Sequence, residues 1–154
     1  MKTILKTSTL IKDLFVSFLL ISAFFITRLI NIKILPIFTD EAIYSFWAQV
    51  ALHDPENRYI SLVDGKQPLF IWFAAISQHF IKDPLIATRL VSVFAGFGAL
   101  IGIYILAFEL FNKKTAIISA ILYITIPFTL FYDRLALFDS LLTMIGIYVV
   151  LLSV

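Results

Sequence analysis

The sequence contains no cysteine, which removes disulfides and thiol metal sites and leaves the redox compartment unread. Charge is scarce too: 14% of residues are charged, where a soluble domain carries roughly 25%. The net charge of +2 is too small to point to a nucleic-acid partner. There is no P-loop, no GxGxxG and no zinc-binding spacing. His53 and His79 stand alone, and Asp133 and Asp139 do not form a DxD pair. No metal and no cofactor are expected, and no glycosylation sequon falls in the segments assigned below to the outer side.

What remains is apolar. Hydrophobic residues make up 61% of the chain and the mean hydropathy is +1.01. A length of 154 residues suits about one soluble domain, but the apolar runs are too many and too continuous for one core. The expectation is an all-α, multi-pass integral membrane protein.

A crossing helix needs roughly 20 mostly apolar residues. Residues 14–35, 90–108, 115–132 and 140–154 are the expected spans, the last cut short by the end of the sequence. No small-residue cleavage site follows the first run, so it reads as a retained anchor rather than a signal peptide. Residues 68–80 are apolar as well but reach only about 20 Å as a helix, which suits an interfacial or re-entrant element. Lys2, Lys6 and Lys12 precede the first span, and Lys113 and Lys114 link the second to the third. The positive-inside rule makes that side cytoplasmic, N-terminus included. Residues 36–89 and the turn around Asp133 to Asp139 then lie outside, with most of the acids.

The long outer segment 36–89 is where chemistry is expected. Asp40 and Glu41 follow the first span directly, and Ile43, Phe46, Trp47 and Val50 recur after them at helical spacing. That pattern predicts an amphipathic helix at the membrane surface, the first of two interfacial helices in this loop. Each candidate also has a structural reading. Asp40, Glu41 and Asp139 suit helix starts, where acids complement the dipole and cap free N–H groups. Arg134 is placed to pair with Asp139 or snorkel to lipid phosphates, and Lys66 before Pro68 to anchor an interface. Together they say more: acids and a cation recur on one membrane face in two separate segments, and ionisable groups held at a membrane mark function. A cation beside a carboxylate base suits a lipid-phosphate substrate.

At these residues the chain resembles the N-terminal part of the C-type glycosyltransferases that use lipid-phosphate sugars. It is most similar to protein O-mannosyltransferases and lipid A aminoarabinose transferases. Three ordered motifs carry the resemblance: Asp40-Glu41 opening a helix that contains Trp47; Lys66-Gln67-Pro68-Leu69 followed by Ile71-Trp72; and Tyr132-Asp133-Arg134-Leu135-Ala136-Leu137-Phe138-Asp139 followed by Leu141-Leu142-Thr143. The second motif usually reads Lys-Pro-Pro-Leu, and Gln67 here loosens the loop locally.

The resemblance implies catalytic parts for Asp40, Glu41 and Asp139, and lipid-phosphate contacts for Lys66 and Arg134. Asp40 would activate the acceptor. The implied partners are a polyprenyl-phosphate sugar donor, an extracytoplasmic acceptor and membrane lipids. Family members are longer, so residues 1–154 are expected to be an N-terminal portion forming one transmembrane module without activity alone. The rival readings are a transporter or lipid flippase and a non-catalytic membrane subunit. A transporter sets its charges near the midplane, on internal repeats; here they cluster at one face and no repeat is visible.

Overall fold

The computed structural model of the chain describes the backbone of residues 2–154 and the side chains of residues 11–154. The side chains of Lys2 and Lys6, which entered the orientation expectation, lie outside the described residues. Among the described residues the regular structure is entirely helical. The helices are α1 (Lys2–Leu29), α2 (Thr39–His53), α3 (Leu69–Phe80), α4 (Pro84–Leu110), α5 (Lys113–Thr125), α6 (Pro127–Tyr132) and α7 (Asp139–Ser153). Two short 3-10 turns, Pro55–Asn57 and Ile60–Asp64, bridge α2 and α3.

α4 is the axis of the fold, packing against α1, α2, α3, α5 and α7. Its 27 residues span about 40 Å, and among the described residues it is the one helix long and apolar enough to cross a membrane. It begins at Pro84, earlier than the apolar run suggests. Asp83 caps it by accepting from the Ile86 N–H at 3.0 Å, and proline suits the first helical turn. Arg89, assigned from the sequence to the outer segment, therefore lies within α4 and is fully buried.

Two expected spans change shape. The first was expected to run to residue 35, but α1 stops at Leu29. Asn31 takes a positive φ of 50°, a conformation asparagine tolerates better than most residues. The third, 115–132, is divided. Ile126 is extended, with φ −62° and ψ 125°, because the residue before a proline is pushed out of the helical region; α6 restarts at Pro127. The short apolar helix is present as α3, with 12 residues, and α7 starts one residue before the run anticipated there.

α2 supplies the first of the two helices expected in this segment. Its packed face carries Glu41, Tyr44, Ser45, Ala48 and Ala51, while Ile43 and Phe46 of the anticipated apolar stripe point outward. Small residues let α2 approach α3, whose Phe70, Ile71, Ala74 and Ala75 are buried. Gln78 of α3 ties three helices, donating to the Ser45 carbonyl at 3.1 Å and the Thr88 hydroxyl at 3.0 Å. One apolar core forms here with Leu135, Leu137 and Leu141. A second, around Phe24, Val93, Leu100 and Ala120, joins α1, α4 and α5. Ion pairs mark the two ends of the bundle: Asp13 of α1 with Lys113 of α5 at one, and Lys33 after α1 with Asp83 before α4 at the other.

Candidate active site

The first site residues in chain order are Asp40 and Glu41, in the first turn of α2. Glu41 is turned inward and fully buried. Arg89 grips it with both arms, Nε to Oε1 and Nη2 to Oε2, each at 2.8 Å. Oε1 also accepts from the Ala136 N–H at 2.6 Å, and Oε2 from the Phe38 N–H at 3.1 Å. Burial pushes this carboxyl upward, but the Arg89 guanidinium and the two N–H groups outweigh it and hold the group below the ordinary glutamate range. Arg89 also donates to the carbonyls of Ile32 at 2.6 Å and Leu35 at 3.2 Å. One ion pair thus fastens the α1–α2 link, the head of α2, α4 and the corner before α7. Both partners are buried and fully engaged, the condition under which such a pair survives desolvation.

Asp40 has no such engagement. Its side chain, like that of Asp139, makes no cap hydrogen bond and no ion pair among the described residues. Asp139 opens α7, some hundred positions away in the chain. The Tyr44 hydroxyl is pushed up to about 12, first by burial and then by the carboxylates of Asp40, Asp139 and Asp64. Tyr44 sits in an aromatic frame, with ring centres 5.8 Å from Trp47, 6.1 Å from Phe70 and 5.9 Å from Phe138. The Lys66 ammonium lies over the other end of that frame, 5.9 Å from the Phe138 ring centre.

The placement of Lys66 is local in origin. Gly65 adopts φ +67°, a left-handed conformation that favours glycine. The chain there reverses, with the Gly65 N–H donating to the Leu62 carbonyl and the Lys66 N–H to the Ser61 carbonyl, each at 3.0 Å. The loop is then pinned to α3, where Trp72 Nε1 donates to the Arg58 carbonyl at 2.9 Å and its ring meets Tyr59 edge-on.

Arg134 lies elsewhere. Its Nη2 donates to the carbonyls of Ile30 and Asn31, each at 2.8 Å, and Nη1 to Thr27 at 3.3 Å. A cation suits the negative end of α1. Lys66 and the head of α7 thus meet at Phe138, which packs on Tyr44, while Glu41 and Arg134 direct their hydrogen bonds into the fold. Tyr44 and Arg89 were not singled out from the sequence. Tyr44 was accessible, standing four positions after Asp40 on the same helical face; Arg89 was a lone cation bordering an apolar run. Among the described residues no group of three or more His, Asp or Glu side chains is arranged as a metal-ligand set.

Residues 65–154 match the family model described as dolichyl-phosphate-mannose-protein mannosyltransferase. The match takes in Lys66, Arg89, Arg134 and Asp139 and begins after Asp40 and Glu41. Neither the curated proteins nor the solved structures contain a match to the chain.

Proposed function

This chain belongs to the dolichyl-phosphate-mannose-protein mannosyltransferase family, and on that premise we propose that it serves a transferase moving a sugar from a polyprenyl-phosphate carrier to a hydroxyl acceptor outside the cytoplasm. The observation that supports the site assignment is the Tyr44–Phe138 contact, which joins the first turn of α2, with Asp40, to the head of α7, with Asp139, and has the Lys66 ammonium 5.9 Å from the Phe138 ring centre.

In the proposed reaction the acceptor oxygen attacks the anomeric carbon while the bond from that carbon to the phosphate oxygen breaks. Asp40 takes the acceptor proton, since a carboxylate with no other partner is available as a base. The departing lipid phosphate carries the negative charge, and Lys66 neutralises it. Asp139 is the second acid at the reacting centre. Glu41 and Arg134, first read as reacting and phosphate-binding groups, are given positioning parts, because their hydrogen-bonding capacity is directed into the fold. The test is Asp40→Asn in native membranes supplied with labelled polyprenyl-phosphate mannose. Asparagine remains a good residue for a helix start, so the fold is expected to persist while transfer of label to endogenous acceptors falls by about 10²- to 10⁴-fold. Full activity in Asp40→Asn would remove this residue from the chemistry.

The membrane arrangement belongs to the same proposal. α1, α4, the α5–α6 pair and α7 are taken to cross, with the N-terminus cytoplasmic, while α2 and α3 lie along the outer surface. The outward placement of Ile43 and Phe46 on α2, and of Phe73, Ile76 and Phe80 on α3, supports it. The chain has no cysteine, so single thiols report cleanly. A membrane-impermeant reagent added from outside is expected to label Glu56→Cys and to spare Lys114→Cys; the opposite pattern would overturn the orientation.

A further inference from the structure

The deepest polar groups in the bundle take no direct part in this chemistry. Arg28, near the end of α1, and Asp133, in the corner between α6 and α7, are 0% and 1% exposed. Their arrangement originates at Pro127. The helical partner of the Tyr123 carbonyl would be the N–H of residue 127, which proline lacks. The extended Ile126 likewise ends the ladder for Ile124. Replacement donors come from two side chains: Arg28 Nη1 reaches the Ile124 carbonyl at 2.7 Å, and the Tyr123 carbonyl accepts from Arg28 Nη2 at 3.2 Å and from the Thr129 hydroxyl at 2.5 Å. Arg28 Nε turns to Asp133 Oδ2 at 3.3 Å, and the guanidinium covers the Phe24 ring.

The other carboxylate oxygen of Asp133 looks toward α7. It accepts from the Ser140 hydroxyl at 2.8 Å and from the Tyr123 hydroxyl at 3.4 Å. α4 makes room at Gly96, where a Cβ would collide with this carboxylate. Ser140 is the neighbour of Asp139. The same corner is held at two further points: the Ala136 N–H by Glu41 and the Leu137 carbonyl by the Ser92 hydroxyl at 2.9 Å. Arg28 thus reaches the head of α7 through a single chain of contacts, Arg28 to Asp133 to Ser140.

We infer that Arg28 and Asp133 are a positioning pair for the transfer, fixing where Asp139 stands relative to Asp40 and Lys66 by holding the 133–140 corner through Ser140. The inference rests on the reading of Asp139 as part of the reacting site. Lysine at position 28 keeps the charge but lacks the planar fork that serves two carbonyls and a carboxylate at once. Small misplacements of a reacting group cost up to about 10²-fold in rate. Arg28→Lys is therefore expected to lower kcat about 10-fold or more while leaving KM for polyprenyl-phosphate mannose unchanged, since Lys66 stands on a different segment.

The test is a double-mutant cycle with Asp139→Asn, measuring kcat in native membranes alongside the amount of folded protein. If Arg28 acts through Asp139, Arg28→Lys has little further effect once Asp139→Asn is present. Ser140→Ala leaves the ion pair intact and removes its link to α7, so it is expected to show the same coupling, and it decides the matter if Arg28→Lys does not fold. Equal losses in both backgrounds would mean a general structural role and overturn the inference, as would unchanged kcat in the single variants. An Asp139→Asn protein of full activity would fail differently: it would remove Asp139 from the reacting site, and the inference with it.

Discussion

The clasp around Glu41 and the charged frame around Tyr44 are built from the same kinds of side chain, one helical turn apart, and they behave in opposite ways. In the clasp, acid and cation are buried and matched, with both Glu41 oxygens bonded twice and Arg89 also serving backbone carbonyls. Around the Tyr44–Phe138 frame, Asp40, Asp139 and Lys66 make no ion pairs among the described residues. A charge whose bonding capacity is consumed by the fold contributes to holding the fold. One whose capacity is open is free to take a proton or meet a phosphate. Asp40 and Glu41 are adjacent carboxylates, and the helix turns only Glu41 fully into the core.

Breaking the clasp is expected to have the largest effect on stability. Arg89→Met leaves Glu41 buried without its cation, and removing one partner of a buried pair costs about 3–5 kcal/mol. The check is the melting temperature and yield of the detergent-purified protein. A stable Arg89→Met protein would show that the clasp does not hold the bundle. The frame is expected to respond in rate rather than stability: Asp40→Asn, with its large expected rate loss, is expected to shift stability by less than about 1 kcal/mol.

Lys66→Ala sharpens the contrast within the frame. Loss of a charge-assisted contact is worth about 1.5–3 kcal/mol, so KM for polyprenyl-phosphate mannose is expected to rise by about one to two orders of magnitude with the fold intact. A change confined to kcat would place Lys66 away from the donor phosphate. The smallest effect is expected at Lys33. It pairs with Asp83 and holds that carboxyl below the usual aspartate range, helped by the Ile86 N–H, but its side chain is 54% exposed. Exposed pairs contribute about 0–1 kcal/mol, and Asp83 keeps its cap on α4 without Lys33. Lys33→Ala is expected to melt close to the parent protein; a large drop would make the comparison one of position along the bundle rather than of burial.

Much of this was legible without coordinates. The helical class, the brevity of α3 and the start of α7 follow from local properties: the length of apolar runs, the period of a helix, and the preference of acids for helix starts. The Pro127 break was legible too, since a proline disfavours helix in the residue before it whatever the surroundings, though run length alone did not register it. The assignment of parts among the charges was not legible. Arg134 looked like a phosphate ligand until the turn at Asn31 placed three carbonyls within its reach, and Arg89 looked like the edge of a loop. The sequence by itself determined which segments become helices and where charges enter an apolar chain, because backbone preferences and water-to-membrane transfer act residue by residue. Only the tertiary structure decided which of those charges are matched and which are left open, because a buried ion is tolerated where donors and acceptors from distant segments converge on it, and that convergence exists only in the packed bundle.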